Sequence, residues 1–231
     1  MHLSITPLKL SAIVEEIPSD EEAFKLADTL LDSTTSWKEG KTYHKQVKTY
    51  SRAKGPEDGA AWHCRASIHK ADEATFAQMW SKLGENKAEN EMKFIPNIKK
   101  VTHVKELSPT QNIWTLYYTF PPPVAPRVFT TVQMTRLSDV FPRNGIIVSM
   151  AVDLSDDQDL AKLEEKGVKG RYVSVERLTE LEDGNVEWRM ATSSTPGGSI
   201  PTYFVERSLP SQIAEDVPHF MKWLHSLPKE E

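Results

Sequence analysis

Cys64 is the only cysteine in 231 residues, so no disulfide can form within the chain, and a reducing, cytoplasmic setting is expected. Runs of one charge are missing too. The 28 Lys and Arg are scattered singly among 33 Asp and Glu for a net charge of −5, which argues against a groove for a phosphate backbone and excludes nucleic acid as the expected partner. Met1-His2-Leu3-Ser4 is not a basic stretch leading into an apolar run, so neither a signal peptide nor a membrane span is expected. His at position 2 and a Lys-Glu-Glu end leave no myristoylation or prenylation signal.

The motifs of common enzymes are absent as well. There is no Gly-x-Ser-x-Gly elbow, no His-Glu-x-x-His pair, no Walker-type loop and no dinucleotide-binding glycine pattern. The seven histidines lie at 2, 44, 63, 69, 103, 219 and 225, without zinc-ligand spacing, so no metal and no cofactor are expected. Asp20, Glu21 and Glu22 form an acidic cluster, but at a helix start, where the macrodipole favours carboxylates. No catalytic residue is assigned. No repeat or low-complexity tract divides the chain, which predicts a single domain over 1–231, expected as a monomer, burying roughly 70% of its unfolded surface.

What is present is a pattern of one helix, several short strands and a last amphipathic segment. Ser19 and Glu22 make a capping box before Ala23, Leu26, Ala27, Leu30 and Leu31, predicting a helix over 20–33. Residues 40–51 and 60–70 flank the turn cluster 54–59 and predict a long β-hairpin. Its second strand puts Trp62, Cys64, Ala66 and Ile68 on an apolar face and His63, Arg65, Ser67 and His69 on a polar one. Asp72 is expected to cap a helix burying Phe76, Met79, Trp80 and Leu83. The charged stretch 84–93 reads as a solvated loop or short surface helix, with a lid as the alternative.

Strand-like runs follow near 98–107, 112–120, 127–139, 145–153, 171–181 and 185–194, too closely spaced for crossover helices and therefore antiparallel. Between them, 155–169 reads as a surface connection or a short helix capped by Asp156 or Asp157. Ile213, Val217, Phe220, Met221 and Leu224 have helical spacing, but Pro210 and Pro218 predict a bent or broken final helix.

Local sequence in the second half narrows the fold. Trp114 to Tyr118, followed by Pro126-Arg127-Val128-Phe129, resembles the START segment in which an aromatic strand leads through a proline loop to a Pro-Arg-Asp-Phe-like strand start. Val168-Lys169-Gly170 sits at that family's Val-Arg-Gly step, and Pro196-Gly197-Gly198-Ser199-Ile200-Pro201 is similar to its Pro-Gly-Gly-x-Ile-Pro approach to the last helix. The resemblance covers residues 112–227 and is nearer to a fungal START-like group of unassigned function than to the sterol and phosphatidylcholine carriers. Val128 replaces the usual acid and Lys169 the usual arginine, so the polar pairing of those positions is not carried over.

The resemblance implies an α+β helix-grip (START/Bet v 1-like) fold: a curved antiparallel sheet wrapped around a long C-terminal helix, enclosing a hydrophobic cavity. It implies binding and transfer of a lipid, sterol or polyketide-like molecule, gated by the last helix and the loop 121–126. That loop is stiffened toward polyproline II and could touch a membrane transiently or simply join two strands. The expected ligand-binding residues are Trp114, Tyr118, Arg127, Phe129, Trp188, Met190, Tyr203 and Phe204, the aromatics among them lining a cavity or filling the core. Arg127 either meets a polar ligand group or caps its loop. Arg65 is a second candidate if it points inward. A cyclase or aromatase-type enzyme using an inward His63, Arg65, Glu187 or Tyr118 is one alternative, and an interaction module with a filled core is another.

Overall fold

The structure, a computed structural model, describes residues 2–9 and 18–228. Met1 and Lys229-Glu230-Glu231, read above for leader and lipidation signals, lie outside the described residues. The first segment of structure is a two-residue strand, β1 (Leu8–Lys9), followed by α1 (Asp20–Ser33). α1 begins as its sequence dictates. The Ser19 hydroxyl accepts from the Glu22 N–H at 3.3 Å while the Glu22 carboxylate reaches back to the Ser19 N–H, an exchange worth about 1 kcal/mol.

Strands β2 (Lys38–Tyr43), β3 (Val47–Arg52) and β4 (Trp62–His69) form two successive hairpins. The expected single strand over 40–51 is thus split. His44 and Lys45, both at positive φ (48° and 66°), make the tight turn, a conformation that usually advertises itself through Asn or Gly. Next come α2 (Phe76–Leu83) and α3 (Lys87–Phe94). α2 is capped by Thr75, whose hydroxyl accepts from the Gln78 N–H, rather than by Asp72, which lies in the preceding turn.

The remaining strands are β5 (Ile98–Ser108), β6 (Gln111–Tyr118), β7 (Arg127–Ser138), β8 (Asn144–Asp153), β9 (Val168–Lys169), β10 (Arg171–Glu180) and β11 (Val186–Thr195). A one-turn helix, α4 (Gln158–Ala161), capped by Asp157, precedes β9. The last element, α5 (Thr202–Ser226), is one continuous helix and not the broken segment that Pro210 and Pro218 suggest. Each proline removes a bond to the carbonyl four residues earlier. Burial of Ile213, Ala214, Val217 and Phe220 along one stripe offsets that loss.

The sheet runs β2-β3-β4-β11-β10-β8-β7-β6-β5, antiparallel along this whole path, with β1 and β9 added in parallel to β8 and β7. It is covered on both faces. α1 packs on the outer face, where Phe24, Ala27 and Leu31 meet Trp62, Cys64, Ile146, Val148, Val173 and Val175. α5 lies across the other face, with Ala214, Val217 and Phe220 against Val47, Trp188, Phe94 and Leu83. This is the helix-grip arrangement.

Candidate functional site

Between α5 and the inner face of the sheet lies a cavity of about 440 Å³. Its floor is made by alternate residues of adjacent strands: Arg65 on β4, Trp188, Met190, Thr192 and Ser194 on β11, and Tyr172, Ser174 and Glu176 on β10. Tyr118 and Phe129 close one side, α3 supplies Lys87, Glu91 and Phe94, and α5 supplies Leu209, Ile213, Asp216 and His219 as the roof. Strand alternation therefore sends the polar row of β4 inward. Its apolar row, Trp62 and Cys64, is taken up by α1 on the other side.

The polar end of the cavity is a linked group of charges. Glu176, 6% exposed, accepts from Lys87 Nζ at 2.6 Å and from the Trp188 indole N–H at 2.9 Å. Arg65 Nη2 stands 3.6 Å from the same carboxylate, and its guanidinium lies 3.9 Å from the centre of the Trp188 ring. Lys87 also donates to Glu91 at 2.7 Å. Burial works against the charge on Lys87, but Glu176 and Glu91 more than reverse it and hold the ammonium above its ordinary range. Burial raises Glu176 as well, and Lys87 and Arg65 overcome that to hold it ionised.

Three groups of this wall are incompletely matched or unpaired. Arg65, only 2% exposed, has no acceptor for Nε or Nη1. Glu91 is raised by burial, with Glu176 adding to the effect and Lys87 opposing it. Asp216 has no hydrogen bond or ion pair among the described residues, and burial, opposed by Arg65 and Lys87 but reinforced by Glu91 and Glu176, pushes its carboxyl up to about 7. Tyr172 is pushed up to about 12, chiefly by burial. A cavity with an aromatic and aliphatic body and one such polar end is suited to an amphipathic small molecule.

The eight expected ligand-binding residues divide into two sets. Tyr118, Phe129, Trp188 and Met190 line the cavity. Trp114 does not: it is on the same face of β6 as Tyr118 but four residues away, about 13 Å along a strand, packed at 4.7 Å from the His103 ring. Arg127 does not either. It is 3% exposed, and Nε donates to the Pro196 carbonyl at 2.9 Å and Nη1 to the Ala125 carbonyl, so it straps the proline loop to the segment before α5. Tyr203 and Phe204, each 62% exposed, sit in the first turn of α5 and face outward.

Sequence reasoning missed Lys87, Glu91, Glu176 and Asp216. Lys87 and Glu91 at i,i+4 have the spacing of an exposed helical ion pair, and the stretch containing them reads as solvated surface, yet Lys87 is buried. For Glu176 a signal exists. Tyr172, Ser174 and Glu176 alternate with Val173 and Val175, so a polar row was visible, though not the side it faces. Of the enzyme candidates, Arg65 and Tyr118 line the cavity. His63 is buried next to it without a partner for either ring nitrogen, and Glu187 pairs with Arg189.

The backbone approach to α5 also has a physical reason. Gly197 and Gly198 have φ of +65° and +67°, and a Cβ at Gly197 would lie 2.2 Å from the Lys169 carbonyl oxygen. Only glycine lets the chain cross β9 and turn into the helix.

Fold and cavity together give a START-like helix-grip fold, which solved structures share. Human STARD10 matches with a TM-score of 0.74 at 13% identity, covering 93% of this chain and 82% of that one. Human StAR-related lipid transfer protein 5 matches at 0.70 and 11% identity over 90% and 98%. A STAR-related lipid transfer protein from Xanthomonas axonopodis matches at 0.62 and 17% over 82% and 99%. At such identities the likeness concerns the fold. Residues 62–224 match the family described as "Protein of unknown function (DUF3074)", and the chain belongs to that family. No curated protein matches the sequence.

Proposed function

We infer that this chain is a non-enzymatic, cytoplasmic carrier, a single monomeric domain over 1–231, that holds one hydrophobic molecule under α5 and transfers it between membranes. The observation that carries this reading is the 440 Å³ cavity with a mainly apolar body and a charged polar end. Its volume falls within the roughly 300–1,000 Å³ usual for small-molecule sites. Burial of a ligand tail gains about 25 cal/mol per Å² of apolar surface, so a lipid-sized chain is held by several kcal/mol before any polar contact forms. Orientation then comes from Arg65, whose unmatched N–H groups call for an acceptor on the ligand.

No described helix is long and apolar enough to cross a membrane. The exposed loop 121–124 with Val124, together with Tyr203 and Phe204, supports contact with a membrane surface. Arg127 ties the loop to the start of α5, so that displacement of one would be felt by the other.

An acid–base enzyme acting on a hydrophobic metabolite is the second reading, favoured by Asp216 and Arg65 facing one apolar chamber. Native mass spectrometry and solvent extraction of the purified protein test both. A stoichiometric hydrophobic molecule recovered unchanged after incubation supports the carrier. A chemically altered one transfers the assignment to the enzyme, and a protein that takes up none from a lipid and metabolite panel refutes both.

A further inference from the structure

Asp216 is the odd carboxylate of the cavity. The groups around it come from every element packed there: Arg65 from β4, Lys87 and Glu91 from α3, Tyr172 and Glu176 from β10, Tyr118 from β6, and Glu215 and His219 from α5 itself. Glu215 is drawn away by His44, 3.2 Å from its carboxylate. That leaves Asp216, Glu91 and Glu176 facing two cations, Arg65 and Lys87. Lys87 is bonded to Glu176 and Glu91, and Arg65 stands 3.6 Å from Glu176 and opposes the shift of Asp216 only through space, so neither cation makes an ion pair with Asp216 among the described residues. With the cavity open, water can solvate its charge. A hydrophobic ligand that fills the space displaces that water and leaves a bare carboxylate beside two others.

We propose that Asp216 makes occupancy of the cavity proton-linked, so that a hydrophobic ligand with an uncharged, hydrogen-bond-accepting polar end is held only with Asp216 protonated. The proposal rests on the carrier reading and names the ligand class for it. Protonated Asp216 donates one hydrogen bond from the roof while Arg65 donates from the floor, and a carbonyl, ether or hydroxyl oxygen satisfies both. A cationic polar end would instead replace the proton on Asp216, and an anionic one would add a fourth negative group. Loading is then favoured at neutral pH, and ionisation of Asp216 drives release from beneath α5.

The test uses the full chain and the uncharged fluorescent ketone 6-propionyl-2-(dimethylamino)naphthalene, titrated between pH 7 and 9, above the range in which exposed imidazoles change charge. Because Asp216 in the free protein lies near 7, the wild-type Kd should rise toward tenfold per pH unit, while Asp216→Asn binds with a flat profile. Calorimetry at pH 8 in two buffers of different ionisation enthalpy should count close to one proton taken up by the wild type. Parallel pH profiles for the two proteins, a wild-type affinity that rises with pH, or a proton count near zero would overturn the proposal. If Asp216→Asn does not fold, the wild-type proton count decides alone. Absence of probe binding at every pH defeats the carrier reading itself, whereas binding that ignores pH defeats only the proton linkage.

Discussion

The two faces of the same strands obey opposite rules. On the outer face, Trp62 and Cys64 of β4, Ile146, Val148 and Met150 of β8, and Val173 and Val175 of β10 make a dry core under α1. One residue along, the inner face presents Arg65, Ser149, Ser174 and Glu176 under α5, with His63, Thr131 and Gln133 buried nearby without full hydrogen bonding. Both faces are covered by a helix, so exposure does not separate them. The difference lies in how completely each is filled. The outer core is close-packed hydrocarbon, which stabilises the fold. The inner one gives up part of that stabilisation to keep an open space and a set of charges.

That contrast is broken most severely at Glu176. Glu176→Ala leaves Lys87 bonded to Glu91 only and removes the ion-pair partner of Arg65 in a buried wall, and removing one partner of such a pair typically costs about 3–5 kcal/mol. Chemical denaturation should show a loss of that size together with altered ligand binding. Its counterpart across the sheet is Leu31→Ala, a fully buried α1 side chain against the outer core. Here a loss of about 2–5 kcal/mol should come with unchanged ligand affinity. If Leu31→Ala weakens binding as much as Glu176→Ala does, the two faces are not independent.

His69, inside with its Nδ1 unpartnered, sharpens the comparison through pH. Burial lowers its pKa to about 4 from 6.5, with Arg65 and His225 pulling the same way. The unfolded chain therefore binds a proton that the folded one refuses. The contribution of neutral His69 is full above pH 6.5 and is lost as pH falls toward 4, amounting to about 3 kcal/mol. Asp216 works in the opposite sense, its raised pKa favouring the fold as pH drops below about 7. The wild type alone would blur the two, so the quantity to measure is the difference in unfolding free energy between wild type and His69→Gln from pH 7 to 4.5. It should shrink steadily on acidification. A constant difference would show that His69 is protonated in the fold.

The same contrast explains what could be read from the sequence. The capping box of α1, the strand runs from 98 to 194 and the alternation within β4 were legible because each is set by neighbours a few residues away. The two faces of β4 were separated correctly by pattern, with Arg65 on the polar one. Which face was interior was not legible, because both are interior, and only the placement of α1 and α5 decides what each is buried against. For the same reason Lys87 and Glu91 look like a solvated helical pair until Glu176, a strand distant by 89 residues from Lys87, is brought to 2.6 Å. Arg127 and Trp114 were conspicuous by residue type, but one is spent on two carbonyls and the other lies beyond the end of the cavity.

The mildest test substitutes no cavity residue. Gly170 joins β9 to β10, and a Cβ there would come within 2.3 Å of the Phe129 ring, itself wedged between Tyr118 at 5.3 Å and Tyr172 at 5.6 Å. Gly170→Ala must therefore shift Phe129 away from β9. Overpacking of this kind costs about 1–3 kcal/mol when the surroundings are filled, but Phe129 borders open space and can move into it. We expect a thermal stability loss at the low end of that range and a larger change in ligand affinity, as the ring takes up room meant for the ligand. A full-sized stability loss with unaltered binding would mean that the space beside Phe129 is not the part of the cavity the ligand fills.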